Sequence, residues 1–225
     1  MIKLLINFAE KGLLPDFLIR LGIKRLCSQR LQGLTGGGEA EMEKQHSNWI
    51  EALKGSPIAL VPEKANEQHY EVPPKFFELV LGDNLKYSSG FWPSAKLTLE
   101  QSEIAMLDLT CERAGLADGQ KILELGCGWG SLTLFMAKKF PKSRITAVSN
   151  SGDQRRFIED KCSQLNLKNI EVVTADMNDF QSTKKFDRAI SIEMFEHMRN
   201  YEKLLGRISS WLKKEGKLFI HIFSH

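Results

Sequence analysis

The stretch Lys121–Ser131, KILELGCGWGS, constrains this chain more than any other. Residues 121–125 are apolar enough for a buried strand. The chain then meets Gly126, Gly128 and Gly130 at every second position and resumes as an apolar run, Leu132 to Phe140, stopped by Pro141. Strand, glycine loop and helix in that order describe a ligand loop at the carboxyl end of a parallel strand. Glycine there permits positive φ and lets backbone amides approach a ligand with no Cβ in between. A dinucleotide fingerprint has the spacing G-x-G-x-x-G. Here it is E-x-G-x-G-x-G, with Glu124 just ahead of the loop. A glycine-rich turn without a ligand fits less well, because strand, loop, helix and acidic residue all fall in order.

From this point strand and helix patterns alternate, which predicts an α/β fold with a parallel, Rossmann-like sheet. Strands are expected at 121–125, 144–149, 170–175, 186–192 and 217–223, and helices at about 131–140, 153–165 and 200–213. Right-handed crossovers place the ligand crevice at the carboxyl ends of the strands. Every distinctive loop falls there: Gly126 to Gly130, Ser149 to Gln154, Asp176-Met177 and Glu193 to His197.

A length of 225 residues suits one large domain or one with a helical appendage. A net charge of +3 is too small to argue for nucleic acid, and no Lys/Arg run reaches four. Cys27, Cys111, Cys127 and Cys162 are widely spaced and never form C-x-x-C, which argues against a zinc site or a disulfide framework and suits a reducing cytoplasm. No metal site is expected. The N-terminus MIKLLINFAEKGLLPDF is apolar but broken by Lys3, Asn7, Glu10 and Lys11, which does not match a signal peptide, and no stretch approaches the length of a membrane span.

Residues 2–34 read as two short helices split near Gly12 to Pro15. Leu4, Leu5, Phe8, Phe17, Leu18, Leu21 and Leu26 lie at helical spacings among Arg20, Lys24, Arg25 and Arg30. Such a basic amphipathic stretch either packs on the main domain or makes a peripheral contact with an anionic membrane; a homodimer is the other partner kept open. Gly36-Gly37-Gly38 marks a linker, residues 39–72 read as mostly irregular, and a helix is expected around Pro74 to Leu81. Asn84 to Pro93, NLKYSSGFWP, is an aromatic segment that is neither strand nor helix; it can be loop packing or a cation–π surface for a cationic cofactor. Thr98 to Ala114 reads as a helix, with a Thr98/Gln101 capping box and Gly115 at its C-terminal end. The domains expected are a helical region and linker at 1–72, a helical cofactor-covering segment at 73–117, and a cofactor-binding domain at 118–225.

The loops offer specific chemistry. After the second strand, Ser149, Asn150 and Ser151, with Gln154 one turn on, stand where a nucleotide-binding sheet often carries a carboxylate for ribose hydroxyls. Asp176 is placed to accept an exocyclic amine of adenine or to cap a helix, and Met177 to flank the ring. Glu193, Glu196 and His197 follow the fourth strand, with Glu193 and His197 sharing a face if a helical turn begins there. Carboxylates there can stabilise positive charge developing on an acceptor, and an imidazole can take up the acceptor's proton.

YSSGFW, ILELGCGWGSLTLFMAKKFP, VSNSGDQRRFI, VVTADM, FDRAISIEMFEHMRNYEKLL and LFIHIF together resemble the family that unites cyclopropane-fatty-acid synthases with coclaurine N-methyltransferases, among the class I S-adenosylmethionine-dependent methyltransferases. The resemblance covers roughly residues 70–225. It implies that Tyr87, Ser88 and the loop of Glu124, Gly126, Gly128 and Gly130 bind S-adenosylmethionine. Gln154 and Asp176 would lie at the adenosine end, near Ser149, Asn150 and Met177, which the loop reading above already offers to the cofactor. In the N-methyltransferase branch, residues matching Glu193, Glu196 and His197 handle the amine; in the synthase branch, those matching Glu196 and His221 hold a bicarbonate base. Ser89 stands where synthases commonly carry Cys, which leans toward the N-methyltransferase branch. The expectation is therefore a cytoplasmic methyltransferase with a small amine acceptor. The alternatives are methylene transfer to a lipid double bond, in lipid biosynthesis, or a cofactor-binding relative without turnover. The resemblance further implies a seven-stranded sheet, of which five strands are visible. A C-terminally truncated chain is expected, with Leu218–Phe223 as an unpaired apolar edge and no substrate-covering segment after it.

Overall fold

The computed structural model describes residues 2–60 and 74–223. The chain divides into two compact units, Met1–Ala52 and Leu53–His225, and residues 73–117 belong to the same unit as the sheet.

The first unit is helical. Helix α1 spans Ile2–Glu10 and α2 spans Asp16–Thr35, parted by a turn in which Gly12 takes φ 67°. No residue of α2 is buried: Phe17, Leu21 and Leu26 are each more than half exposed. Leu4's side chain lies outside the described set. Helix α3, Gly38–Gly55, corrects the expectation of irregular chain after the glycines. Its sequence, GEAEMEKQHSNWIEALKG, lacks an apolar stripe yet is rich in Ala, Glu, Lys, Gln and Met, which form helices by intrinsic preference without one. Of the rest of the expected irregular region, 56–60 are irregular apart from one isolated bridge at Ala59, and 61–72 lie outside the described residues.

In the second unit, helix α4 is Pro74–Val80 and α5 is Leu99–Arg113. The capping box on α5 is present: Gln101 N donates to Thr98 Oγ1 at 3.2 Å and Thr98 N donates to Gln101 Oε1 at 3.0 Å. Gly115 takes φ 61° just past its end, and Leu116 N reaches back to the Cys111 carbonyl at 3.0 Å, so the helix is closed at both termini. Strands β1 (Lys121–Leu125), β2 (Arg144–Ser149), β3 (Ile170–Thr174), β4 (Phe186–Ile192) and β5 (Leu212–His221) form one parallel sheet in the order β3-β2-β1-β4-β5. Helices α6 (Ser131–Lys139), α7 (Gly152–Gln164) and α8 (Tyr201–Trp211) make the crossovers. The one displaced strand is β5. It begins at Leu212, directly after α8, and ends at His221; the shift in register near Phe186 and Arg188 takes up the extra residues ahead of Lys217.

Burial on both faces of the sheet explains the near-continuous apolar strands. On one face Leu123, Leu125 and Ala189 pack with Leu204, Ile208 and Trp211 of α8; on the other Ile122, Ile145 and Ile190 pack with Leu107, Cys111 and Met136. Reversal of order between β1 and β4 creates the crevice at the carboxyl ends of these two strands.

Candidate active site

A cavity of about 650 Å³ opens at that switch point. It is the size of a small-ligand site. Its floor is the glycine loop. Gly126, Gly128 and Gly130 take φ 79°, 52° and 82°, which only glycine adopts without strain. They are not equivalent. A Cβ on Gly126 would meet Met194 Cβ at 2.9 Å and one on Gly130 would meet Ile158 Cγ1 at 2.6 Å, whereas one on Gly128 would meet nothing within 4 Å. Gly126 and Gly128 line the cavity, while Gly130 caps α6 and serves packing.

Glu124 sits at the end of β1, 3% exposed, and accepts a hydrogen bond from Thr133 Oγ1 at 2.6 Å. Burial nonetheless pushes its carboxyl up to about 8, because no cation is near enough to offset desolvation. Cys127, between two of the glycines, is buried with its thiol pushed well above the usual range, which makes it a packing residue and not a nucleophile.

The loop after β2 turns on hydroxyls. Ser149 Oγ donates to Gln154 Oε1 at 2.5 Å and accepts from Ser151 N at 3.0 Å, and the Ser151 side chain caps α7. Gln154 is thereby fixed, 2% exposed, with Nε2 buried and without a partner. Trp129 Nε1 and Ser131 Oγ are in the same state, and all three residues line the cavity. Buried donors left unpaired are costly and call for an acceptor. Three around one cavity point to a polar ligand. Trp129 is clamped between Phe77 of α4, at 5.7 Å, and Phe157 of α7, at 5.4 Å, and Phe77 also meets Tyr87 edge-on at 5.4 Å.

After β3, Asp176 Oδ1 accepts from Asn178 N at 2.7 Å, so it caps the following turn and lines the cavity at once. A carboxylate accepts several hydrogen bonds, and the two roles are compatible. Met177 borders the cavity while its side chain belongs to the core.

After β4 the chain bends at Glu193, whose φ is 50°. The turn Phe195–His197 is a single 3-10 turn, so Glu193 and His197 do not share an α-helical face as expected; the strained bend, not a helical repeat, brings Glu193, Glu196 and His197 to one wall. Glu193 N donates to the His221 carbonyl at 2.8 Å. His221 itself is a ladder residue of β5 and is not among the cavity-lining residues, which separates it from the other candidates. Tyr87, Ser88 and Asn150 do line the cavity.

Sequence reasoning missed Lys86, Trp129, Ser131 and the Ala59-Leu60 wall. Ala59 pairs with the amide of Asn178, donating to Oδ1 at 3.1 Å and accepting from Nδ2 at 2.9 Å, and bridges Met198. Trp129, an aromatic residue set between two loop glycines, was the visible signal among these.

The mycolic acid cyclopropane synthetase family model matches residues 61–225. The chain belongs to this family. Its relatives include (S)-coclaurine N-methyltransferase of Papaver somniferum, 40% identical over 221 residues, covering 98% of this chain and 63% of that enzyme. A solved coclaurine N-methyltransferase bound to N-methylheliamine and SAH is 42% identical with a TM-score of 0.88, covering 98% of this chain and 64% of the other. A mycolic acid cyclopropane synthase complexed with SAH and CTAB is 27% identical with a TM-score of 0.64, covering 72% and 57%. The chain thus spans a little under two thirds of the length of the coclaurine N-methyltransferases it matches. These likenesses establish the class I, Rossmann-like methyltransferase fold for its sheet.

Proposed function

We propose that this chain is an S-adenosylmethionine-dependent methyltransferase acting on an amine nitrogen. The carrying observation is that Glu193, Glu196 and His197 share one cavity with the glycine loop and with three buried, unpaired donors. When bound, S-adenosylmethionine supplies an electrophilic sulfonium methyl group. The residues present fit it: Gly128 leaves open space where the backbone would meet the ligand, and Gln154 Nε2, held by Ser149, would donate to the adenosine end along with Asp176. Glu124, Tyr87 and Ser88 would hold the methionine end. His197 would take the acceptor's proton as its nitrogen gains charge, and Glu193 and Glu196 would stabilise that charge.

The alternative, methylene transfer to a lipid double bond, is less well supported. The residue matching the synthase branch's second bicarbonate ligand, His221, is not among those lining the cavity, and likeness to the N-methyltransferase structure exceeds that to the synthase. Calorimetric titration tests the cofactor assignment. S-adenosylhomocysteine should bind the wild-type chain and nicotinamide dinucleotides should not; tight dinucleotide binding would replace this reading with an oxidoreductase.

A further inference from the structure

Glu103 of α5, at 1% exposed, is the most deeply buried carboxylate among the described residues. Glutamate is almost never fully buried unless paired, and here both oxygens are taken by backbone amides. Gly82 N donates to Oε1 at 2.9 Å and Asn84 N to Oε2 at 3.2 Å. The neighbouring Ser102, 0% exposed, holds the far end of the same loop: its carbonyl accepts from Phe91 N at 3.0 Å. A Cβ on Gly90 would meet Ser102 Oγ at 2.7 Å, so the loop lies close against the helix at this end too. Two adjacent residues of α5 therefore pin loop 82–91 at both ends. Its middle is turned into the cavity. Leu85 takes φ 48°, a strained value for leucine, and Leu85, Lys86, Tyr87 and Ser88 all line the cavity wall. Lys86 is 7% exposed there, and its ammonium donates to Ser88 Oγ.

We infer that Glu103 is a positioning residue for the cofactor: its carboxylate pins loop 82–91 so that Tyr87 and Ser88 meet the methionine end. This rests on the cofactor assignment made above and adds to it a residue that is not among those lining the cavity. Glu103 acts through the loop alone. A chain whose loop is in place only part of the time binds its ligand more weakly by that fraction, so losing the carboxylate clasp lowers cofactor affinity even while the sheet stays folded.

Two substitutions break the clasp by different routes. Glu103→Gln keeps the shape but turns an NH2 group toward one of the two amide donors, so one bond is lost. Gly82→Ala places a Cβ 2.5 Å from Glu103 Oε2, and because Gly82 is not one of the glycines with positive φ, it acts through that contact and not through backbone strain. Asp187→Asn is the control. Asp187 also accepts from a backbone amide, Lys121 N at 2.8 Å, but at the amino end of β4, away from the cavity. Calorimetric titration with S-adenosylhomocysteine should show about tenfold or more lower affinity in Glu103→Gln and in Gly82→Ala, the worth of a hydrogen bond to a charged group. Asp187→Asn should stay within about twofold of the wild type, whatever its thermal stability. Without ligand, amide hydrogen exchange should quicken at residues 82–88 in the first two variants and not in β1 or β2. Wild-type affinity in either clasp variant, an equal loss in Asp187→Asn, or exchange quickened equally across the sheet overturns the inference; should Glu103→Gln not fold, Gly82→Ala decides it. Affinity retained by the clasp variants removes the Glu103 proposal alone, whereas a wild type that does not bind S-adenosylhomocysteine removes the cofactor assignment and this inference with it.

Discussion

Glu124→Gln tests the electrostatics of the cavity floor. The carboxyl is 3% exposed, accepts one hydrogen bond from Thr133, and is pushed from 4.5 to about 8 by burial. Its folded-state value lies above the unfolded one, so the folded chain holds the proton more tightly. The stability it contributes is complete below about pH 4.5 and is lost as pH rises through about 8. At about 1.4 kcal/mol per unit, ionising the buried group costs on the order of 5 kcal/mol, of which roughly 3 kcal/mol is lost between about pH 5.5 and pH 8.5. Glutamine has the same shape, still offers an acceptor to Thr133, and cannot ionise. Urea unfolding of both proteins at the two pH values isolates the group, because every other titration cancels in the difference. The variant should gain about 3 kcal/mol on the wild type as pH rises across this range. Parallel pH dependences would refute the reasoning, because they are what a Glu124 already ionised in the fold would give across this range.

Gly128→Val should lower S-adenosylhomocysteine affinity by about a hundredfold or more, by filling open cavity space and straining a φ of 52°, at about 1–2 kcal/mol of stability; calorimetry and thermal unfolding separate the two effects. His197→Ala should reduce amine-methyl turnover by about 10²–10⁴ with cofactor affinity little changed, and His221→Ala, outside the cavity lining, should have a small effect in the same assay. Trp211→Ala, removing a side chain that is 1% exposed and packs on Phe180 at 4.9 Å, should cost about 3–5 kcal/mol in denaturant unfolding.

The sheet was legible because its central strands β1, β2 and β4 are largely buried and its elements are punctuated by glycine, proline and capping residues. Strands β1, β2 and β4 fall at the expected residues, and α5 carries both of its predicted caps. Local signals were less informative where tertiary pairing decides. The start of β5 at Leu212 depends on ladder bonds to β4, and Lys213, Lys214 and Glu215 look like loop to any reading of hydropathy. Helix α3 forms through intrinsic preference, which leaves no periodic trace. At the site, loop position alone placed Gly126, Gly128, Gln154, Asp176, Glu193, Glu196 and His197 around one cavity. Lys86 escaped because a lysine reads as surface, and its burial is caused by a carboxylate on α5 that is remote in sequence.

Incubation with methyl-labelled S-adenosylmethionine, in the presence of a panel of benzylic secondary amines and vesicles of unsaturated phospholipid, tests the central claim most directly. Mass spectrometry of both pools should find the label on amine nitrogen and none in the acyl chains. Label incorporated as a methylene bridge across acyl double bonds, or no label in either pool, would contradict it.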